Sequence, residues 1–311
     1  MSEMPGITVE QNNNKVMVHG KTFEAGFDKA TGTLSSLIYN NRSIINGAEN
    51  GPLFNLYRAT MDNDRTKERG PSIEWEKAGY DSLQYTLRSF TIQEATPQIV
   101  KLLAITDAVT RSGFKVTTEI LYTVSGNGNI RVDAAFKPAS QGLDIPRLGL
   151  RMLLEQGLEQ IEWYGRGPYE NYPDRQGSAA VGRYQSTVTQ MQEPYERPQG
   201  MGNRGEVHWV KICDDNNQGA MIIAHGRLAF TALHFTDQDL HAAAHLYQLL
   251  PRRETVLSLD YAQQGIGNAS CGPDPLPAYR IPFQPAKLSF TICAYDPLDG
   301  DAAAKAKQEN N

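Results

Sequence analysis

Alternation of apolar and polar positions dominates this chain. It runs through KVMVHG, KTFEAGFD, TGTLSSLIYN, FKVTTEILYTVSGNGNIRVDAAFKP, GAMIIAHG and LSFTICAYD, each bounded by Gly, Asn or Asp. A period of two places every second side chain on one face of a pleated strand, so these segments predict β-strands. Within DKATGTLSSLIYNNRSII, Thr31-Gly32 marks the turn of a hairpin and Asn40-Asn41 closes its second strand; Gly126-Asn127-Gly128 gives the same signal again. Helical periodicity is confined to SIEWEKAGYDSL (72–83) and TDQDLHAAAH (236–245), while DAAAKAKQENN reads as a frayed polar end.

No βαβ alternation is visible, which disfavours a parallel doubly wound sheet or a (β/α) barrel. Many antiparallel strands without a fixed-period repeat predict a large all-β sandwich. The Pro-rich stretch 194–204 is short enough to be a loop, so residues 1–300 are expected to form one domain, followed by a polar tail over 301–311.

Composition narrows the function classes. The 311 residues are 40% hydrophobic and 21% charged, as in a folded water-soluble protein. A formal net charge of -5 with no long basic block argues against a nucleic-acid partner. Cys213, Cys271 and Cys293 are an odd number without CxxC spacing, fitting neither a disulfide framework nor a zinc site. A reducing compartment follows; with no signal-like N-terminus and no apolar run of membrane-spanning length, a cytoplasmic location without membrane association is expected.

Several polar clusters are candidates for chemistry. WYGRGPYENYPDR (163–175) carries Arg166, Tyr169, Glu170, Asn171, Tyr172, Asp174 and Arg175. Glu170 and Asp174 have the residue types of a glycosidase acid and base pair, but ion pairs and backbone hydrogen bonds in a Gly/Pro-interrupted loop account for them equally well. RATMDNDR (58–65) holds Arg58, Asp62, Asn63 and Asp64; it departs from the DxDxDG spacing of a calcium loop, leaving a turn cap or a binding surface. ERPQGMGNRGEVHWV (196–210) presents Arg204 and His208 from a glycine-rich loop. His241 and His245 have i,i+4 spacing without the HExxH glutamate, so a metal site is discounted. In GIGNASCGPDPLP (265–277), Cys271 is a nucleophile only if a base and an electropositive pocket accompany it, and the sequence shows neither. GxSxG, P-loop and dinucleotide motifs are missing.

Taken in order, RATMDNDR, WEKAGYDSL, WYGRGPYENYPDR, RPQGMGNRGEVHW and LDYAQQGIGNASCGP resemble the C-terminal small-chain domain of glycoside hydrolase family 2 β-galactosidases, across most of the chain. The resemblance implies an antiparallel β-supersandwich similar to the galactose mutarotase fold. It implies a small subunit, or the equivalent C-terminal domain, that completes the substrate pocket of a large catalytic β-galactosidase chain or domains acting on lactose-like galactosides. The catalytic glutamates of that family sit on a (β/α) barrel, so no catalytic residue is expected here. No cofactor is expected either, the magnesium and sodium ions of the assembled enzymes being held by other domains.

By the same resemblance, Asn268, Ser270, Cys271 and Gly272 are expected to lie in a loop that reaches the substrate pocket, where a well-characterised bacterial member supplies a tryptophan platform that GIGNASCGP lacks. Arg58, Asp62, Asn63, Asp64, Arg166, Tyr169, Glu170, Asn171, Tyr172, Asp174, Arg175, Arg204 and His208 are implied as binding or interface residues. Two rivals share the fold. A stand-alone aldose 1-epimerase would use a His and Glu pair, His208 with Glu206 or His245 with Glu254, and a carbohydrate-binding module would need none.

Overall fold

The computed structural model describes residues 4–65, 70–140 and 144–309. Five strands, β1 (Thr8–Gln11), β2 (Lys15–His19), β3 (Phe23–Asp28), β4 (Leu34–Tyr39) and β5 (Arg42–Asn46), form a meander in chain order. The β4–β5 turn uses Asn40 and Asn41 at φ 48° and 64°, the left-handed pair that a tight hairpin requires and that Asn tolerates. Then come β6 (Leu53–Asn55), β7 (Leu83–Ala95), β8 (Ile99–Thr110), β9 (Lys115–Ser125), β10 (Ile130–Pro138) and β11 (Arg147–Leu154). The chain continues through β12 (Gln160–Gly167), β13 (Ala180–Thr187), β14 (Trp209–Cys213), β15 (Gly219–Ala224), β16 (Ala229–Leu233), β17 (Thr255–Gln263) and β18 (Ala286–Tyr295).

These strands make a nine-stranded sheet, in order β13-β12-β14-β15-β18-β10-β9-β8-β7, and a four-stranded sheet, β16-β17-β11-β6. Every strand pairing is antiparallel, as the period-two pattern requires. The large sheet is the backing on which both smaller sheets pack. Phe27 of β3 lies 5.2 Å from Tyr122 of β9, Phe54 of β6 lies 5.4 Å from Phe136 of β10, and Trp163 of β12 meets Phe230 of β16 edge-on at 5.8 Å. Tilted and edge-on rings at these distances are the favoured aromatic geometries.

Helix α1 (Pro71–Ala78) is shorter than the 72–83 read from the sequence. Gly79 adopts φ 72°, and the Gly79 and Tyr80 amides close back on Glu76 and Trp75, a left-handed stop that ends the helix early. Helix α2 (Asp237–Ala242) opens on a Thr236–Asp239 capping box. The expected frayed tail is a third helix, α3 (Ala302–Glu309). Ala302 and Ala306 pack against Trp209, Cys213, Met221, Ile223, Cys293 and Tyr295, on the face of β14, β15 and β18 opposite the main core. This cover explains why all five residues of β14 are buried: both faces of that strand are occupied.

Candidate functional site

Three segments that are far apart in sequence converge where β17 ends. After β12 the chain turns tightly, the Arg175 amide donating to the Tyr172 carbonyl at 2.7 Å around Pro173. This turn directs the Asp174 carboxylate at the loop beyond β17, where Oδ1 accepts the Ile266 N–H at 2.9 Å and Oδ2 the Gly267 N–H at 2.8 Å. Arg175 holds the same loop from its other groups, donating to the Gly267 carbonyl at 2.5 Å and to Asn268 Oδ1 at 3.0 Å. The third grip comes from Asn63, whose carbonyl accepts the Ala269 N–H at 3.2 Å and whose Oδ1 accepts from Ser270 Oγ at 2.9 Å. Asn268 closes the tip on itself: its N–H donates to the Pro273 carbonyl, and its carbonyl accepts the Cys271 and Gly272 amides.

Glycine is required at the base of this finger. A Cβ on Gly265 would lie 2.8 Å from both Asp174 Cγ and Tyr279 Cβ, closer than real Cβ contacts come. Gly267 sits at φ 64°, which a side chain disfavours. Asn268, Ser270 and Cys271 are exposed at the tip, while Ala269 beneath them is fully buried. The result is a stiff loop whose backbone is tied down and whose tip side chains face outward.

Buried charge supports the base of the finger. Arg58 donates to Asp64 Oδ1 and to the Gln264 carbonyl, both at 2.8 Å, and its guanidinium lies 5.7 Å from the ring centroids of Trp75 and Tyr172. Asp64 Oδ2 also accepts the Met61 N–H, so this carboxylate caps its own turn. Burial pushes the Asp64 carboxyl above its usual pKa, and the Arg58 cation opposes that. The Asp-Asn-Asp cluster thus divides its roles: Asp64 is structural, Asn63 grips the finger, and Asp62 pairs with Arg197 at 2.6 Å on the surface.

Beside it lies a second buried cluster that sequence reading did not single out. Arg147 pairs with Asp237 at 2.8 Å and Asp260 at 3.1 Å, and Asp237 also accepts the Ala59 N–H. Burial, partly countered by Arg147, pushes the Asp260 carboxyl up to about 6. The one available signal was a carboxylate inside the apolar alternation of TVLSLDYAQ, which demands a buried partner but does not say which.

The other expected site residues are distributed around these clusters. Glu170 accepts from Tyr195 Oη at 2.5 Å and from the Gly202 N–H at 2.7 Å, so it and Asp174 serve two different loops. Arg166 donates to the Ala179 carbonyl at 2.8 Å and pairs with Glu206 at 2.9 Å. Asn171 Oδ1 accepts the Gly205 N–H at 2.9 Å, Tyr172 is buried, and Tyr169 is 66% exposed. Arg204 is buried with its guanidinium 5.6 Å from the Trp163 ring centroid, and desolvation lowers its pKa. His208 is exposed, its ring 4.9 Å from that of Tyr164, and together with Glu206 it lines a cleft of about 620 Å³. His245 stacks on Tyr247, whereas the Glu254 carbonyl meets His234. Among the described residues no group of three or more His, Cys, Asp or Glu side chains is arranged to hold a metal ion. No helix among them is long and apolar enough to cross a membrane.

The chain is thus an antiparallel β-sandwich whose Asp174, Arg175 and Asn63 tie down a loop with exposed side chains at its tip. The matching family is beta galactosidase small chain, whose model covers residues 19–292, and the chain belongs to it. The Beta-galactosidase of Lactobacillus delbrueckii subsp. bulgaricus is 32% identical over 272 residues, 86% of this chain and 26% of that protein. That of Priestia megaterium is 29% identical, covering 85% of this chain and 25% of that protein. The chain therefore spans about a quarter of the length of these curated relatives. Similar solved structures include a GalM/aldose epimerase homologue from C. elegans, with TM-score 0.48 and 10% identity over 94% of this chain and 99% of that one. Galactose 1-epimerase from Lactobacillus acidophilus NCFM follows with TM-score 0.45 and 7% identity, covering 94% and 99%.

Proposed function

We propose that this chain completes the substrate pocket of a β-galactosidase, a larger chain or further domains supplying the catalytic barrel. The partner's two carboxylates would carry out retaining hydrolysis of terminal β-D-galactosides, and any magnesium or sodium ions would be held outside this chain. The observation that carries the reading is the finger 265–273, pinned by Asp174, Arg175 and Asn63 with the tip side chains of Asn268, Ser270 and Cys271 directed outward. A preformed loop loses little conformational freedom when it becomes a pocket wall, so its contribution to substrate positioning is not offset by ordering entropy. With Cys271 at the tip in place of an indole, the wall would act by shape and by hydrogen bonds donated by the Asn268 side-chain nitrogen and accepted by Ser270 Oγ, rather than by broad stacking on the sugar face.

Mixing the purified chain with its matching large chain and following galactoside hydrolysis tests this directly. Activity is expected to require both chains. A large chain that is equally active alone would overturn the reading. Polarimetry on fresh α-galactose separates the epimerase rival: Glu206 is held by Arg166, and no acceleration of mutarotation is expected from the isolated chain.

A further inference from the structure

The cleft of about 620 Å³ is bounded by the 171–176 turn, residues 203–208, residues 226–229 and the end of β17. Its volume falls inside the range of about 300–1,000 Å³ typical of small-molecule sites. Val207, Leu228 and Ala229 give it an apolar wall, with solvent-accessible polar side chains around it. Among the described residues, no hydrogen bond is made by the side chains of Gln176, His208, Arg227 or Tyr261. Asn203 and Gln263 also line the cleft, with Asn203 Oδ1 and Gln263 Oε1 themselves sealed from it. Their orientations are fixed by the other half of each amide: Asn203 Nδ2 donates to the Asn171 carbonyl at 2.6 Å, and Gln263 Nε2 donates to Asp260 Oδ2 at 3.1 Å. These two bonds hold both side chains in place beneath the cleft.

We infer that this cleft is a saccharide site belonging to the chain itself, taking one neutral hexose-sized ring. Hydroxyl groups both donate and accept, which suits a wall carrying the Gln176 amide, the His208 imidazole and the Tyr261 phenol. The apolar wall suits the C–H face of the sugar, while Tyr261, half-buried at the end of β17, offers both a ring edge and a hydroxyl. Charge plays a minor part. Glu206 is neutralised by Arg166, and Arg227 stands alone on the exposed rim. The inference does not depend on the pocket-completing role, since it concerns binding by the isolated chain.

The test is a backbone amide NMR titration of the isolated chain with methyl β-D-galactoside, lactose or inorganic phosphate, up to ~50 mM, where even a millimolar Kd saturates the site. Saturable shifts are expected for Gly205, Val207, Gly226 and Ala262 with the sugars. Gln176→Ala and His208→Ala, both at the accessible edge of the cleft, should each weaken binding roughly three- to tenfold without moving amides of β8 or β9. No saturable response to either sugar would overturn the inference. So would a response to phosphate alone, which would make the cleft an anion trap around Arg227, and so would sugar shifts unaffected by both substitutions. Reconstituted hydrolysis that persists while the isolated chain fails to bind sugar would sink this inference and leave the pocket-completing role standing.

Discussion

Replacing Asp174 by Asn keeps the shape of the side chain and removes what fixes the finger. In the native chain both carboxylate oxygens accept consecutive backbone amides, Ile266 at 2.9 Å and Gly267 at 2.8 Å. Hydrogen bonds to an ionised group contribute about 1.5–3 kcal/mol each, and neutral ones about 0.5–1.5. Asn retains one neutral acceptor and turns an N–H₂ toward the other amide, so the net loss is about 3 kcal/mol of loop restraint. That energy belongs to local opening of 265–272, because the finger lies outside the main core. Amide hydrogen exchange should therefore show protection at Ile266 and Gly267 falling roughly 100-fold, with β9 and β10 unchanged. Galactoside hydrolysis reconstituted with the large chain should fall as well, while the unfolding midpoint moves little. Unchanged protection at the two amides would refute the reasoning, since it would mean that the loop is held by its own turn and not by Asp174.

Four further outcomes follow from the same geometry. Arg58→Ala strands the buried Asp64 carboxylate and should cost about 3–5 kcal/mol in urea unfolding; Arg58→Lys should recover only part, because one ammonium cannot reach Asp64 and the Gln264 carbonyl with the planar guanidinium fork. Gly265→Ala places a methyl 2.8 Å from Asp174 Cγ and Tyr279 Cβ, so reconstituted activity should drop through displacement of the finger, with far-ultraviolet circular dichroism unchanged. Asp260 has its carboxyl raised from 3.8 to about 6 by burial, so the folded state binds that proton more tightly than the unfolded chain. Its contribution is full below about pH 4 and lost as pH rises through 6, and Asp260→Asn should remove that share of the decline in stability-versus-pH curves. Finally, Cys213 and Cys293 are buried with thiols pushed up to about 12, whereas Cys271 is exposed. A thiol reagent should label Cys271 alone in the folded chain, as peptide mapping would show.

Local order was plainly legible from the amino-acid pattern. Period-two alternation is a short-range property, so the strands, the Asn40-Asn41 turn and the glycine turn before β10 could be read residue by residue. The motifs RATMDNDR, WYGRGPYENYPDR and GIGNASCGP were also visible as unusual, and their order carried the family. Helix ends were read less well: Gly79 stops α1 through a left-handed cap, and α3 is stabilised by the outer face of β14, β15 and β18, the first two far from it in sequence.

What each charged residue does was decided only in three dimensions. Glu170 and Asp174 are four positions apart, yet one holds the 195–202 loop and the other the finger. Arg147 is 90 residues from Asp237 and meets Asp260 from the neighbouring strand, a pairing set by the register of β11 on β17. A carboxylate's function depends on which donors and cations lie within about 3 Å of it, and in an antiparallel sandwich those neighbours come from strand order, not from sequence distance. The sequence determined that a stiff glycine- and proline-rich loop follows β17; the tertiary structure decided that Asp174, Arg175 and Asn63 hold it outward, because only folding brings those three grips to one point.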